Sequence, residues 1–151
     1  MILLAMDDRA LIRRWSEAVR ICRADHAAID PKTLSRPLSV DAAVCVFDLG
    51  PRARADLSYF GDAVTGNRTT HFVALTACPN AEEGLDILRA GGRGYCNRFA
   101  SPPVGSAVLA TVGDGEIWAG RQVTEHLLKR APSPAASEAA GAGFQMLTTR
   151  E

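Results

Sequence analysis

Five polar residues in this chain share one kind of position, directly after an apolar run. Asp7 and Asp8 follow Ile2 to Met6, Asp48 follows Ala42 to Phe47, Thr76 follows His71 to Leu75, and Arg98 stands just beyond Gly94-Tyr95-Cys96. Three carboxylates brought together make a hard, oxygen-rich site suited to Mg2+, a cation that takes a few carboxylates and keeps waters and a phosphate for its other positions. The expected donors are Asp7, Asp8, Asp48 and the backbone carbonyl of Gly50. Such a cation offsets repulsion between acids and phosphoryl oxygens. Asp48 is therefore expected to accept a phosphoryl group by in-line attack, with Arg98 binding the transferred group and Thr76 hydrogen-bonding it. A hydroxyl drawn to a new phosphoryl group shifts the loop that carries it, and the vacated space lets Tyr95 turn inward as a switch.

These positions have meaning only if the elements between them bring them to one place. The Ile2–Met6 run has strand length, and Asp7-Asp8 ends it before a helical pattern carrying Leu11, Ile12, Trp15 and Val19. From Ile21 to Leu38 the pattern is broken by Pro31 and Pro37, which predicts a short strand followed by a reduced or irregular helix. Ala42–Phe47 is a second buried strand, closed by a turn at Gly50-Pro51, and His71–Leu75 a third. A helix is predicted over Ala81–Ala90, ended by Gly91-Gly92, before a short last strand opens at Gly94. Pro102–Val112 reads as a helix, Gly113-Asp114-Gly115 as a break, and Glu116 to Arg130 as a further helix. Strands alternating with helices and apolar throughout predict a parallel sheet covered on both faces, whose carboxyl edge gathers ligands.

Composition sets the wider limits. With 151 residues, 47% hydrophobic and 23% charged, the chain suffices for one core plus a tail. Its 17 basic and 17 acidic side chains cancel, which removes the positive field that would hold this segment on nucleic acid. The N-terminus meets acid within a few residues and reads as neither signal peptide nor membrane span, so the expected location is cytoplasmic. Four scattered cysteines without a CxxC pair read as reduced thiols. Cys78, close to the expected site, suits a redox sensor only if a basic neighbour lowers its pKa, and the sequence supplies none beside it.

In combination and order these segments resemble the receiver domain of response regulators, in the NarL/FixJ branch. The matching pieces are MILLAMDDRAL, VCVFDLGP, FVALTA and LRAGGRGYCNRFASP, and the resemblance extends over nearly all of residues 1–130. It implies a flavodoxin-like, CheY-like five-stranded parallel sheet of order 2-1-3-4-5 with helices on both faces. It also implies a sensor histidine kinase as phosphodonor, dimerisation into a homodimer, and a role in two-component signal transduction and transcription regulation. GEIWAGRQVTEHLL is similar to the linker helix of that branch, and LTTRE to the opening of its LuxR-type helix-turn-helix. The organisation implied is a receiver domain over 1–113, a linker or dimerisation helix over 114–130, a flexible linker over 131–146 and the start of a DNA-binding module over 147–151, through which alone DNA would be bound.

Departures from the pattern keep a second reading open. Arg98 stands where the family carries lysine, Asn97 and Phe99 are also uncommon, residues 24–39 match poorly, and GPRARADL after Asp48 is unusually basic. The alternative is a pseudo-receiver, a binding module driven by a partner protein or a ligand and independent of phosphate. Some relatives bind cyclic di-GMP through a Trp and an Arg in this segment, and Trp118 and Arg121 partly match that motif, but the preferred reading of the two is a packing anchor with a surface charge. Taken singly, Asp7 and Asp8 serve as well as helix caps, Thr76 as a loop hydroxyl, Arg98 as a surface charge and Tyr95 as a static core-edge aromatic. A free-standing flavodoxin-like enzyme finds no Gly-rich phosphate loop and no nucleophile–base pair in the sequence.

Overall fold

The computed structural model describes residues 1–51 and 57–131. Five strands, β1 (Ile2–Ala5), β2 (His26–Ile29), β3 (Val44–Asp48), β4 (His71–Thr76) and β5 (Gly94–Asn97), form one sheet of order β2-β1-β3-β4-β5 with every pairing parallel. The helices are α1 (Arg9–Ile21), α2 (Ser58–Gly66), α3 (Ala81–Arg89), α4 (Pro102–Gly113) and α5 (Gly120–Arg130). The expected flavodoxin-like architecture and strand order are those observed.

Alternation along the strands divides the interior in two, because successive side chains leave a strand on opposite faces. Ile2, Leu4, Val44, Val46, Val73 and Leu75 meet α1 and α4 through Trp15, Val19, Val108 and Val112. Leu3, Ala5, Cys45, Phe47, Phe72 and Ala74 face the other way, against Phe60 of α2 and Leu85 and Ile87 of α3. Covering both faces explains why the strands read as unbroken apolar runs. Phe60 is fully buried and meets Phe47 and Phe72 edge-on, at centroid distances of 5.5 and 6.0 Å.

The stretch between β2 and β3 carries a single 3-10 turn, Pro31–Ser35, capped by Asp30, in place of a full helix. Proline at its start and another at Pro37 leave no room for regular helix. Helix α2 had no counterpart in the sequence expectation. It is nine residues long with Gly61 inside it, and only Phe60 and Ala63 are buried, so the periodic signal is weak. The helix expected from Glu116 begins instead at Gly120. Before it Trp118 pairs with the sheet: it donates its N–H to the Arg93 carbonyl (2.9 Å) and accepts from the Tyr95 N–H (2.8 Å), adding one residue beside β5. Gly120 then turns the chain with φ +73°, a conformation that favours glycine.

Helix α5 folds back onto α3 and the outer edge of β5. Its one fully buried side chain is Val123, and Gly84 of α3 receives it: a Cβ on Gly84 would overlap Val123 Cγ2 and stand 2.9 Å from the Tyr95 ring. Burying one valine stabilises by about 1.5–3 kcal/mol. His126 Nε2 of the same helix is buried with no hydrogen-bond partner. The expected linker over 131–146 begins at Ala131, the last described residue; the rest of it, the expected DNA-binding segment over 147–151 and residues 52–56 of the basic loop lie outside the described residues.

Two outcomes follow from this packing. Phe60→Ala should lower unfolding free energy by about 3–5 kcal/mol in urea denaturation, since it empties the junction of three aromatic rings. Under native conditions alkylation should mark Cys78, the exposed thiol, well before Cys45 and Cys96, whose burial pushes their pKa values up to about 12 and about 11.

Candidate functional site

The parallel sheet delivers every strand's carboxyl end to one edge, and Asp48 is the last residue of β3 there. Its side chain is 7% exposed, so its charge needs a partner inside the protein. Arg98, one residue past β5 and 6% exposed, supplies it: Nε donates to Asp48 Oδ1 at 3.2 Å and a terminal nitrogen to Oδ2 at 2.8 Å, a two-pronged pair. The Gly50 N–H adds a third donor, to Oδ1 at 3.1 Å. The same guanidinium nitrogen lies 3.8 Å from Asp8 Oδ2, and its carbon stands 5.2 Å from the Phe99 ring centroid.

The backbone around Arg98 is held as firmly as its side chain. Its N–H donates to the Thr76 carbonyl (2.8 Å), and its own carbonyl accepts from Trp15 Nε1 of α1 (3.1 Å). A lysine in this place would offer one point charge; the flat fork of arginine engages both carboxylate oxygens at once.

Thr76 belongs to the other side of the sheet. It is 1% exposed, and the register Thr76↔Asn97 makes it a diagonal neighbour of Tyr95 on the same face. Tyr95 already lies inward, 2% exposed, donating from Oη to Glu83 Oε1 (2.9 Å) and accepting from the Asn80 N–H (3.0 Å). Burial first, and then the hydrogen bond and charge of Glu83, raise the phenol well above its ordinary pKa, so it stays protonated. Asn80 also caps α3 by accepting from the Glu83 N–H (2.9 Å), tying the Tyr95 contacts to the start of that helix.

Of the sequence-selected residues, then, the structure joins Asp48, Arg98 and the rim of Asp8, and separately joins Thr76 with Tyr95. Asp8 is the N-cap of α1, its Oδ1 accepting from Ala10 and Leu11 N–H (2.9 and 3.2 Å), so the capping role open in the sequence is filled. Asp7 is exposed, and Gly50 meets Asp48 through its N–H. Among the described residues no three His, Cys, Asp or Glu side chains group to hold a metal. With both Asp48 oxygens on Arg98 and one Asp8 oxygen on the helix cap, the donors in this arrangement do not fit Mg2+. Glu83, Asn80 and Trp15 were not picked out by sequence reasoning as parts of the site; the only advance signal was Asn80-x-x-Glu83 at a helix start. Trp118 is engaged in the sheet edge through its backbone, and Arg121, 90% exposed, pairs with Glu125 at 2.7 Å.

No family model matches the chain, and no curated protein matches it. Solved structures do. The RcsB response regulator of Salmonella typhimurium, described for its conformational dynamism in DNA interaction, superposes with a TM-score of 0.70 at 18% identity, over 91% of this chain and 72% of that one. The isolated REC domain of RcsB from Salmonella enterica serovar Typhimurium, with the phosphomimetic BeF3-, gives 0.66 at 16% over 82% and 95%. A CheY-like receiver domain protein from Methanospirillum hungatei gives 0.61 at 14% over 76% and 93%. At these identities the likeness is one of fold: a receiver-type sheet. No helix among the described residues is long and apolar enough to cross a membrane.

The pairing predicts a clear mutational pattern. Arg98→Ala leaves a buried, uncompensated Asp48 carboxylate and should cost about 3–5 kcal/mol of stability. Adding Asp48→Ala to Arg98→Ala should restore part of that loss, and a double-mutant cycle in chemical denaturation reads the coupling.

Proposed function

We propose that this domain is the signal-receiving module of a response regulator in two-component signalling, accepting a phosphoryl group on Asp48 from a sensor histidine kinase. The observation that carries the reading is the convergence of Asp48, Arg98 and, through its backbone, Thr76 at the carboxyl edge of a receiver-type sheet. In the transfer, an Asp48 oxygen forms a bond to phosphorus as the P–N bond of the phosphohistidine breaks. The bonding pair returns to the imidazole nitrogen, which regains a proton when it leaves neutral. Arg98 then exchanges one or both carboxylate contacts for oxygens of the incoming group, a partner that a guanidinium fork fits equally well. Thr76, at the end of β4, would donate its hydroxyl to the same group.

The Mg2+ expected at Asp7, Asp8, Asp48 and the Gly50 carbonyl enters as a condition of the assay, since a cation can reach Asp48 only if the arginine gives way. Control of transcription through a DNA-binding domain, action as a homodimer and a cytoplasmic location belong to the same proposal, supported by the fold shared with response regulators.

One observation favours the second reading. Asp48 has both oxygens engaged by a buried arginine, which suits a phosphorylation-independent module whose output is set by a partner or ligand.

Intact mass after incubation with acetyl phosphate, with and without Mg2+, separates the two. A single added phosphoryl group on the wild type, absent from Asp48→Ala, is the expected result. An unmodified wild type under both conditions overturns the phosphoryl reading and leaves the partner- or ligand-driven module.

A further inference from the structure

At the amino edge of the sheet, opposite Asp48, the chain passes from α2 into β4 and from α3 into the neighbouring β5. An open cavity of about 300 Å3 lies between these two connections, lined by Val64 and Thr65 of α2, by Arg68, Thr70 and His71 leading into β4, and by Gly91 and Arg93 leading into β5. Two arginines and a histidine face no Asp or Glu in this lining. Asp114 and Glu116 flank Gly115, which stands beside the His71 ring, but neither lines the cavity. Both arginines are exposed, and among the described residues neither guanidinium has an ion-pair or hydrogen-bond partner, whereas Arg89, Arg98 and Arg121 are each paired.

A cation behind a helix end ordinarily serves the last carbonyls of that helix. Here backbone and amide groups have taken them. The Ala63 and Val64 carbonyls accept from the Asn67 side chain and backbone N–H (2.9 and 3.2 Å), and those of Asp86, Ile87 and Leu88 accept from the Ala90, Gly92 and Gly91 N–H (2.9, 2.9 and 3.0 Å). The walls are fixed as well: the Thr65 and Thr70 hydroxyls donate to the Gly61 and Ala42 carbonyls, each at 2.9 Å, and His71 Nδ1 lies 2.9 Å from the Val112 carbonyl. Gly91, at φ +96°, lets the two connections close up, since a Cβ there would stand 2.9 Å from Val64 Cγ1. A set cavity thus carries two positive groups with no other employment.

We propose that this cavity binds a small phosphate monoester, with Arg68 and Arg93 gripping the phosphate and Val64 and His71 lying against the organic remainder. A lining of one sign inside a concavity concentrates its field on an anion. Two guanidinium forks bring more N–H donors than one carboxylate accepts, and they match a terminal phosphate, which offers three oxygens and two charges. The volume stands at the small end of ligand pockets, which leaves room beside the phosphate for few further atoms. This site is separate from the phosphoryl-accepting edge and does not require that reading.

Amide resonances of the full chain, followed while inorganic phosphate or glycerol phosphate is added at constant ionic strength, test this directly. The expected result is a set of shifts at Thr65, Arg68, His71, Gly91 and Arg93 that saturate together and that chloride does not reproduce. Arg68→Gln and Arg93→Gln should each weaken the binding about tenfold or more, the loss of one charge-assisted contact. Arg89→Gln removes the same charge from the end of α3 without touching the cavity and should titrate as the wild type does. Asp48→Ala should also titrate unchanged, so failure of the phosphoryl reading leaves this result intact. The proposal is overturned if these five amides do not shift, if chloride shifts them equally, or if the signals that move are those of Asp48 and Arg98 instead. It is equally overturned if Arg89→Gln weakens binding as much as Arg68→Gln and Arg93→Gln, which would reduce the effect to net charge.

Discussion

A carboxylate shut away from water requires a counter-charge, and the carboxyl edge of this sheet is arranged around that requirement. Asp48 at the end of β3 and Arg98 just past β5 sit on non-adjacent strands with β4 between them, so their contact fixes three strand ends at once. The arginine can hold its place because Trp15 of α1 takes its carbonyl and Thr76 of β4 takes its amide hydrogen. The Gly50 turn, with φ +89°, brings a backbone N–H back onto the same carboxylate. One ion pair thus collects contributions from β3, β4, β5, α1 and the loop after Asp48. In a buried location such a pair adds little net stability compared with apolar packing, but removing either half is costly, and that asymmetry makes it sensitive to any change of charge.

The period of two along each strand puts Asp48 and Tyr95 on different faces. Asp48 continues the side of Val44 and Val46, toward α1 and α4; Thr76 continues the side of Phe72 and Ala74, with Tyr95, toward α3 and α5. Only at the strand ends do the two sides come close, where the Thr76 carbonyl meets the Arg98 amide.

Much of this architecture is legible in the sequence, and for a definite reason. Strands buried on both faces must be apolar throughout, so β1, β3 and β4 stand out as runs, and the polar residue ending each one marks the functional edge. The parts that were not legible depend on contacts between distant segments. Helix α2 is short and carries a glycine, so its pattern does not rise above that of a loop. The last helix starts four residues later than periodicity suggests because Trp118 finds a strand edge to pair with, a tertiary event with no local signal. Asp48, Thr76 and Arg98 could be placed on one edge from spacing alone. That Arg98 would grip both oxygens of Asp48 and that Thr76 would share a face with Tyr95 are matters of side-chain direction, which spacing does not carry, whereas the cap that Asp8 forms was one of its two readings in the sequence.

The central claim is that Asp48, with Arg98 as its counter-ion, is where a signal enters this domain. Amide resonances recorded while beryllofluoride, a mimic of the phosphoryl group, is titrated in address it most directly. The account predicts shifts at Asp48, Thr76, Arg98 and Tyr95 that saturate together and vanish in Asp48→Ala. Resonances unmoved at these four positions at saturating beryllofluoride, or moved identically in Asp48→Ala, would contradict it.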